Sequence, residues 1–191
     1  GGGLYSRANS RRKMSEKSEG AAALVLAIDV DEVLGQFVRQ LCLFHNHGYG
    51  TSLTPEDFNS YYFHEVWGGS RTSADAKMDD FFASPFFLQG IPVVDGAETV
   101  LRKHAANFEL HVVTSRQHVL REHTRQWVDA NYPGLFAELH FGNHFSKEGV
   151  QRSKPELCRS IGAALIIDDN MRYATECAAA GIPAYLFGER D

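Results

Sequence analysis

Leu24-Val25-Leu26-Ala27-Ile28-Asp29-Val30-Asp31-Glu32-Val33-Leu34 decides the fold, because an uninterrupted apolar run ends in two carboxylates spaced i, i+2. A short run of Leu, Val and Ile without polar alternation reads as a strand buried on both faces, as in the middle of a parallel sheet. In open α/β sheets, ligands bind beyond the carboxyl ends of the strands, near the point where strand order reverses. Asp29 and Asp31 fall there, and continued pleating would point both to the same side. Two carboxylates that close repel unless a cation or a shared proton relieves them; a hard divalent metal is the natural relief.

The pattern repeats down the chain. Glu109-Leu110-His111-Val112-Val113 reads as a strand crowned by Thr114-Ser115-Arg116, and Ala164-Leu165-Ile166-Ile167 as a strand tipped by Asp168-Asp169-Asn170. Short strands over 138–141 and 184–187 complete five, alternating with helices, which implies a parallel sheet with right-handed crossovers and helices on both faces. Ser153-Lys154-Pro155-Glu156 is a capping box that opens a helix with Lys154 in its first turn.

Behind the first strand, Val33, Leu34, Phe37, Val38, Leu41 and Phe44 recur at helical spacing, predicting an amphipathic helix over Glu32–Asn46. Thr54-Pro55-Glu56-Asp57 and Thr72-x-x-Asp75 read as further helix starts, and another helix is expected from about Val119. Phe58, Tyr61, Tyr62, Phe63, Trp67, Phe81, Phe82, Phe86 and Phe87 concentrate nine aromatics in this stretch. Most read as the core of a small helical insertion, the remainder as platforms for a planar ligand. The expected organisation is a core over 21–34 and 92–191, a helical cap over 35–91, and a disordered tail over 1–20.

Composition sets limits. A chain of 191 residues that is 43% hydrophobic can bury one main core plus a small insertion. A formal net charge of −5 gives no basic field, so neither a nucleic-acid polymer nor an anionic membrane is the expected partner. No apolar run approaches the ~20 residues that span a bilayer. Cys42, Cys158 and Cys177, widely separated and each on a predicted helix, read as buried hydrophobes of a reducing intracellular compartment, cytoplasmic or organellar. His45 and His47 are two residues apart at a helix end, do not share a helical face, and are not read as a metal pair. The tail carries Arg7, Arg11, Arg12, Lys13 and Lys17 with no apolar segment behind them, so it is no secretory signal; a transit-peptide remnant and an appended leader both fit.

An aspartate-rich strand tip, a Thr-Ser strand tip, a helix-opening Lys and a second Asp-Asp strand tip, in that order over residues 24–187, resemble the four motifs of the haloacid dehalogenase-like phosphatase superfamily. Within it, Asp29-Val30-Asp31-Glu32-Val33-Leu34-Gly35-Gln36-Phe37, the helical insertion behind it, Phe86-Phe87 and Val113-Thr114-Ser115 are similar to the 5′(3′)-deoxyribonucleotidase group. Two positions depart: Glu32 stands where many relatives carry Gly, and Arg116 where the nucleotidases tend to have Pro.

The resemblance implies a Rossmann-like core and a Mg²⁺-dependent phosphomonoester hydrolase acting through an aspartyl-phosphate. It makes Asp29 the nucleophile and Asp31 the general acid and base. Asp29, Asp31 through its carbonyl, and Asp169 become metal ligands with Asp168 in an outer or alternate position; Thr114, Ser115 and Lys154 become the phosphate contacts. Phe37, Tyr61, Tyr62, Trp67 and Arg116 are assigned to the substrate pocket. The expected partner is a small-molecule phosphate ester, a (deoxy)nucleoside monophosphate first. A sugar phosphate or phosphoprotein phosphatase is the alternative within the class; a non-catalytic regulatory protein of the same fold is the alternative outside it.

Overall fold

The computed structural model describes residues 23–188; the expected disordered tail lies outside them. Five strands, β1 (Leu24–Ile28), β2 (Phe108–Thr114), β3 (Phe136–Phe141), β4 (Ala163–Asp168) and β5 (Ala184–Leu186), form one all-parallel sheet in the order β3-β2-β1-β4-β5. The apolar run is therefore the central strand. Order reverses on either side of β1, so the tips of β2, β1 and β4 meet where a ligand crevice is expected.

Side-chain alternation divides the core in two. Leu26, Ile28, Leu110 and Val112 point to one face; Ala27, Val113 and Ile166 point to the other. Helices α7 (Lys154–Ser160) and α8 (Met171–Ala179) cover the second face through Leu157, Cys158 and Cys177. The first face is covered by α5 (Ala97–His104), α6 (Arg121–Asn131) and the insertion, whose helices are α1 (Phe37–Tyr49), α2 (Phe63–Trp67), α3 (Arg71–Ala83) and α4 (Pro85–Leu88). Of the nine clustered aromatics, seven join this core and only Tyr61 and Tyr62 stand exposed. Phe81 and Phe87 are fully buried, each worth about 1.5–3 kcal/mol of transfer free energy. The three cysteines are buried free thiols. Among the described residues, no helix is long and apolar enough to cross a membrane.

Several boundaries differ from the sequence expectation. The first helix begins at Phe37 and not at Glu32, because residues 30–35 fold into a tight turn: Leu34 and Gly35 N–H both donate to the Val30 carbonyl, and Glu32 N–H donates to that of Gly35. Glu32 adopts φ +60, and its carboxylate accepts the Val38 N–H at 2.7 Å, satisfying an otherwise orphaned donor in the first turn of α1. Thr54 and Asp57 do form their capping box, but it closes only a 3₁₀ turn over Pro55–Asp57. Ser70, not Thr72, caps α3, and a 3₁₀ turn over His118–Leu120 precedes α6. β3 starts at Phe136, ahead of the expected Glu138.

The chain leaves and re-enters the core side by side. Gln36 N–H donates to Pro92 O at 2.8 Å, Val94 N–H to Leu34 O at 2.9 Å, and Gly35 bridges Val93. Trp127 Nε1 donates to Ile91 O at 2.8 Å and Tyr132 Oη to Leu34 O at 2.6 Å, pinning both connections from the core. Gly35 is required by packing: a Cβ there would lie 2.4 Å from Ile91 Cδ1 and 3.0 Å from Trp127 Cη2. Gly35→Ala should therefore cost ~1–3 kcal/mol in urea unfolding. Ile91→Val deletes the closest clashing atom, so the pair should be stabler than the sum of the single variants by at least ~0.5 kcal/mol. Strict additivity would show that the clash is relieved elsewhere.

Candidate active site

The tip of β1 delivers Asp29, whose N–H still donates to Ile167 O of β4 at 3.0 Å, and then Asp31 in the tight turn. Lys154 enters from the first turn of α7, which Ser153 and Glu156 cap reciprocally, and Asp168 and Asp169 end β4. The Lys154 ammonium, fully buried, lies 2.7 Å from Asp29 Oδ2 and 2.5 Å from Asp168 Oδ2. Asp168 Oδ1 accepts the Asn170 N–H at 2.9 Å, so both of its oxygens are engaged. Asp29 Oδ1 is buried without a hydrogen-bond partner among the described residues.

The electrostatics follow from burial. Desolvation pushes the Asp29 carboxyl up to about 8; Lys154 opposes the rise, and Asp168, Asp31 and Asp169 add to it. Desolvation alone would lower the Lys154 ammonium, but Asp29 and Asp168 outweigh it and raise the group above its ordinary value. Burial pushes Asp169 up to about 6, with Asp168 contributing in the same direction. Glu32 is pushed up to about 7 by burial, against the pull of the Val38 N–H.

A cleft of about 660 Å³ opens above this cluster. Asp29, Asp31, Ser115, Asp169, Asn170 and Tyr173 line it from the core, and Phe37, Val38, Phe58, Tyr61 and Phe63 from the insertion. Five of the lining residues, Asp29, Asp31, Glu32, Glu56 and Asp169, are acidic. Tyr61 Oη reaches across to donate to the Asp169 carbonyl at 2.9 Å and Oδ2 at 3.1 Å. The carboxylates of Asp29, Asp168 and Asp169 place ligand atoms within 4.8 Å of one another. Buried carboxyls pushed up by desolvation and by one another, together with this convergence of hard oxygen donors, fit a divalent cation such as Mg²⁺.

The assigned residues thus sort into layers. Asp29, Asp31, Ser115 and Asp169 face the cleft, as do Phe37 and Tyr61; Thr114, Lys154 and Asp168 sit fully buried beneath. The Thr114 hydroxyl oxygen accepts the Arg116 N–H at 3.2 Å. Three substrate-pocket assignments are corrected. Trp67 is turned into the insertion, stacked on His45 at 4.9 Å and Phe63 at 5.2 Å. Tyr62 is solvent-exposed against His64 and does not line the cleft. Arg116 is buried behind Asp31: its Nη2 and Nε grip Oδ1 at 2.7 Å and Oδ2 at 3.2 Å, while Nη1 donates to Thr124 Oγ1 at 3.0 Å.

Asn170 and Tyr173 were not anticipated. Asn170 is readable in retrospect as the residue after Asp168-Asp169, and it caps α8 by accepting from Arg172 and Tyr173 N–H. Tyr173 had no local signal; α8 brings its ring to 4.8 Å from Lys154 Nζ and its hydroxyl to 2.8 Å from His144 Nδ1.

The two-point grip on Asp31 is specific to guanidinium geometry. Arg116→Lys should destabilise the protein by ~1.5–3 kcal/mol, and combined with Asp31→Asn it should cost less than the sum of the two single variants by at least ~0.5 kcal/mol. Strict additivity in urea unfolding would mean that Arg116 serves packing and not Asp31.

Residues 23–149 match the family described as 5′ nucleotidase, deoxy (pyrimidine), cytosolic type C protein. A 5′(3′)-deoxyribonucleotidase of Clostridium acetobutylicum is 23% identical over 108 residues, 56% of this chain and 58% of that protein, so the match spans little more than half of the relative. Among solved structures, a haloacid dehalogenase-like hydrolase of Streptococcus pneumoniae superposes with TM-score 0.63 at 10% identity, covering 85% of this chain and 83% of the other. A HAD-superfamily hydrolase of subfamily IA from Geobacter sulfurreducens gives TM-score 0.58 at 16% identity, over 87% and 88%. At such identities the structural likeness speaks for the fold, which is that of the HAD hydrolases. The family match covers well over half of the sequence and includes the β1 and β2 tips, and the chain therefore belongs to the cytosolic type C 5′-deoxynucleotidase family.

Proposed function

We propose that this chain is a phosphomonoester hydrolase that works through an aspartyl-phosphate on Asp29, with deoxynucleoside 5′-monophosphates as substrates. The observation that carries the reading is the asymmetry of Asp29: Oδ2 is held by Lys154, and Oδ1, in a residue that lines the cleft, has no hydrogen-bond partner among the described residues.

Asp29 Oδ1 attacks phosphorus and forms the acyl-phosphate bond as the ester P–O bond breaks. Asp31 gives its proton to the departing alcohol; Oδ2, the oxygen held at the longer distance by Arg116, carries it. Asp31 then takes a proton from the water that attacks the phosphoenzyme, which releases inorganic phosphate and restores Asp29. Ser115 contacts the phosphoryl oxygens from the cleft wall, while Lys154 orients the nucleophile from below. Asp29 and Asp169 would hold Mg²⁺, with the Asp31 carbonyl contributing and Asp168 behind them. Mg²⁺ bound there supplies the positive charge that an anionic phosphate needs in a cleft with five acidic walls.

The insertion, residues 35–91, acts as the cap. It restricts the cleft to small esters, and Phe37, Phe58 and Phe63 give it an aromatic wall suited to a planar base. A purely regulatory role has no use for a nucleophile kept unpaired beside a fully buried lysine.

With Mg²⁺ added, Asp29→Asn should abolish both phosphoenzyme and hydrolysis; chelation should silence the parent. Because the substitution also neutralises one partner of the buried Lys154, its urea midpoint should fall, and turnover is compared without urea at a temperature where circular dichroism shows the variant folded. Near-normal turnover by this variant would sink the assignment of the nucleophile. For the substrate, Phe58→Leu removes a base platform yet keeps volume, so kcat/KM for a deoxynucleoside monophosphate should fall roughly 5- to 150-fold, corresponding to ~1–3 kcal/mol of stacking, with little change for a sugar phosphate. Equal losses on both would return the specificity to the phosphoryl end alone.

A further inference from the structure

Glu-Leu-His occurs twice, as Glu109-Leu110-His111 on β2 and Glu138-Leu139-His140 on β3, and these strands are parallel neighbours. His111 pairs in register with Glu138. Since i and i+2 share a face, all four polar side chains project to one side of the sheet, opposite Leu110 and Val112 and on the side of Val113. None of the four belongs to the site at the strand tips.

The contacts among them are ordered. His111, buried, has Nε2 2.8 Å from Glu109 Oε1 and Nδ1 3.0 Å from His140 Nε2. His140 Nε2 also faces Glu138 Oε2 at 3.6 Å, and one ligand atom each from His111, His140 and Glu138 falls within 4.8 Å of the others. The carboxylate of Glu109 fixes the proton of His111 on Nε2, so Nδ1 presents its lone pair to His140. An outer carboxylate that sets the tautomer of a ligating imidazole is the usual support of a protein metal site. The separation is close to what an ion needs: two nitrogens each about 2.1 Å from one tetrahedral ion stand roughly 3.4 Å apart, so the pair at 3.0 Å has to part by a few tenths of an ångström on binding.

We propose that His111 Nδ1, His140 Nε2 and Glu138 Oε2 bind a first-row transition-metal dication of the zinc class, with Glu109 as the supporting carboxylate. On binding, the proton that His140 Nε2 offers to His111 moves to His140 Nδ1, and the ion takes the place of that proton between the two lone pairs. Two imidazoles and one carboxylate prefer Zn²⁺ or Cu²⁺ over Mg²⁺, the reverse of the all-oxygen cluster at Asp29 and Asp169. With three protein ligands, the remaining coordination belongs to solvent, as the exposed side chain of Glu138 allows.

The test uses the full chain, stripped of metal and then kept in millimolar Mg²⁺ so that the oxygen site does not compete. Calorimetric titration with Zn²⁺ should show one equivalent with Kd at or below about 10 µM, weakened at least about tenfold in His140→Ala and in Glu138→Gln. Both positions are partly or largely exposed, and the urea midpoint of each variant checks the fold independently. The Cu²⁺ form should show coupling to two imidazole nitrogens in its paramagnetic resonance spectrum, reduced to one by His140→Ala. Zn²⁺ binding weaker than that limit, undiminished binding in both variants, or a Cu²⁺ spectrum unchanged by His140→Ala would overturn the site. None of these readouts depends on phosphatase activity.

Discussion

A lysine ammonium with no surface in water is the constraint on which the rest of the structure depends. Removing such an ion from solvent costs several kcal/mol, and it persists only where opposite charges meet it at close range. Asp29 and Asp168 do so from the tips of two adjacent strands, while Lys154 arrives from the first turn of α7. The strand order that places β4 beside β1 is thus a condition for burying Lys154, and loss of either carboxylate would leave a charge stranded in the core. The same contacts that stabilise the interior hold one oxygen of Asp29 and leave the other without a hydrogen-bond partner among the described residues.

A second cation repeats the device one layer outward. Arg116 occupies a buried slot between Asp31 and Thr124 and uses three nitrogens to do so. A proline in that position would have no charge to offer Asp31, so this chain immobilises its second aspartate by a side-chain grip. Glu32 is the complementary departure. At φ +60 glycine is the residue with no steric cost, yet the carboxylate recovers part of that cost by capping α1 at Val38. Both departures tighten the turn that carries Asp29 and Asp31.

Much of this was legible in the sequence, and what was not has identifiable causes. The apolar run of β1 and the acids at its tip announce a buried parallel strand and its crevice because both signals are local. The capping box before α7 is local as well, and it correctly places Lys154 at a helix start. Three-dimensional closure is not local. The apolar residues at 33 and 34 fit a helical period but belong to a turn that returns to Val30, so the helix starts later than periodicity suggests. Trp67 carried the same composition signal as Phe58 and Phe63, and only the packing of α2 against His45 decides which rings face the cleft. The resemblance assigns Arg116 to the substrate pocket, but its direction is set by Asp31, 85 residues away in sequence.

The way the insertion meets the core also determines how the cleft can open. Phe81 and Phe87 are fully buried in the same cluster as Leu26 and Ile28, and Phe37 joins them edge-on at 5.4 Å from Phe81. Swinging the whole insertion away would return several such rings to water at about 1.5–3 kcal/mol each, a sum comparable to the stability of a domain. Residues 55–62 are differently held. They are mostly exposed, carry a single 3₁₀ turn, pack Phe58 edge-on against Phe63 and Trp67, and meet the β4 tip through Tyr61, whose one hydroxyl proton is shared between the Asp169 carbonyl and Oδ2 in a bifurcated hydrogen bond of ~0.5–1.5 kcal/mol. Releasing this segment exposes one such ring, Phe58, where releasing the whole insertion exposes several, so the aromatic body of the insertion is the more firmly held part of the cleft wall.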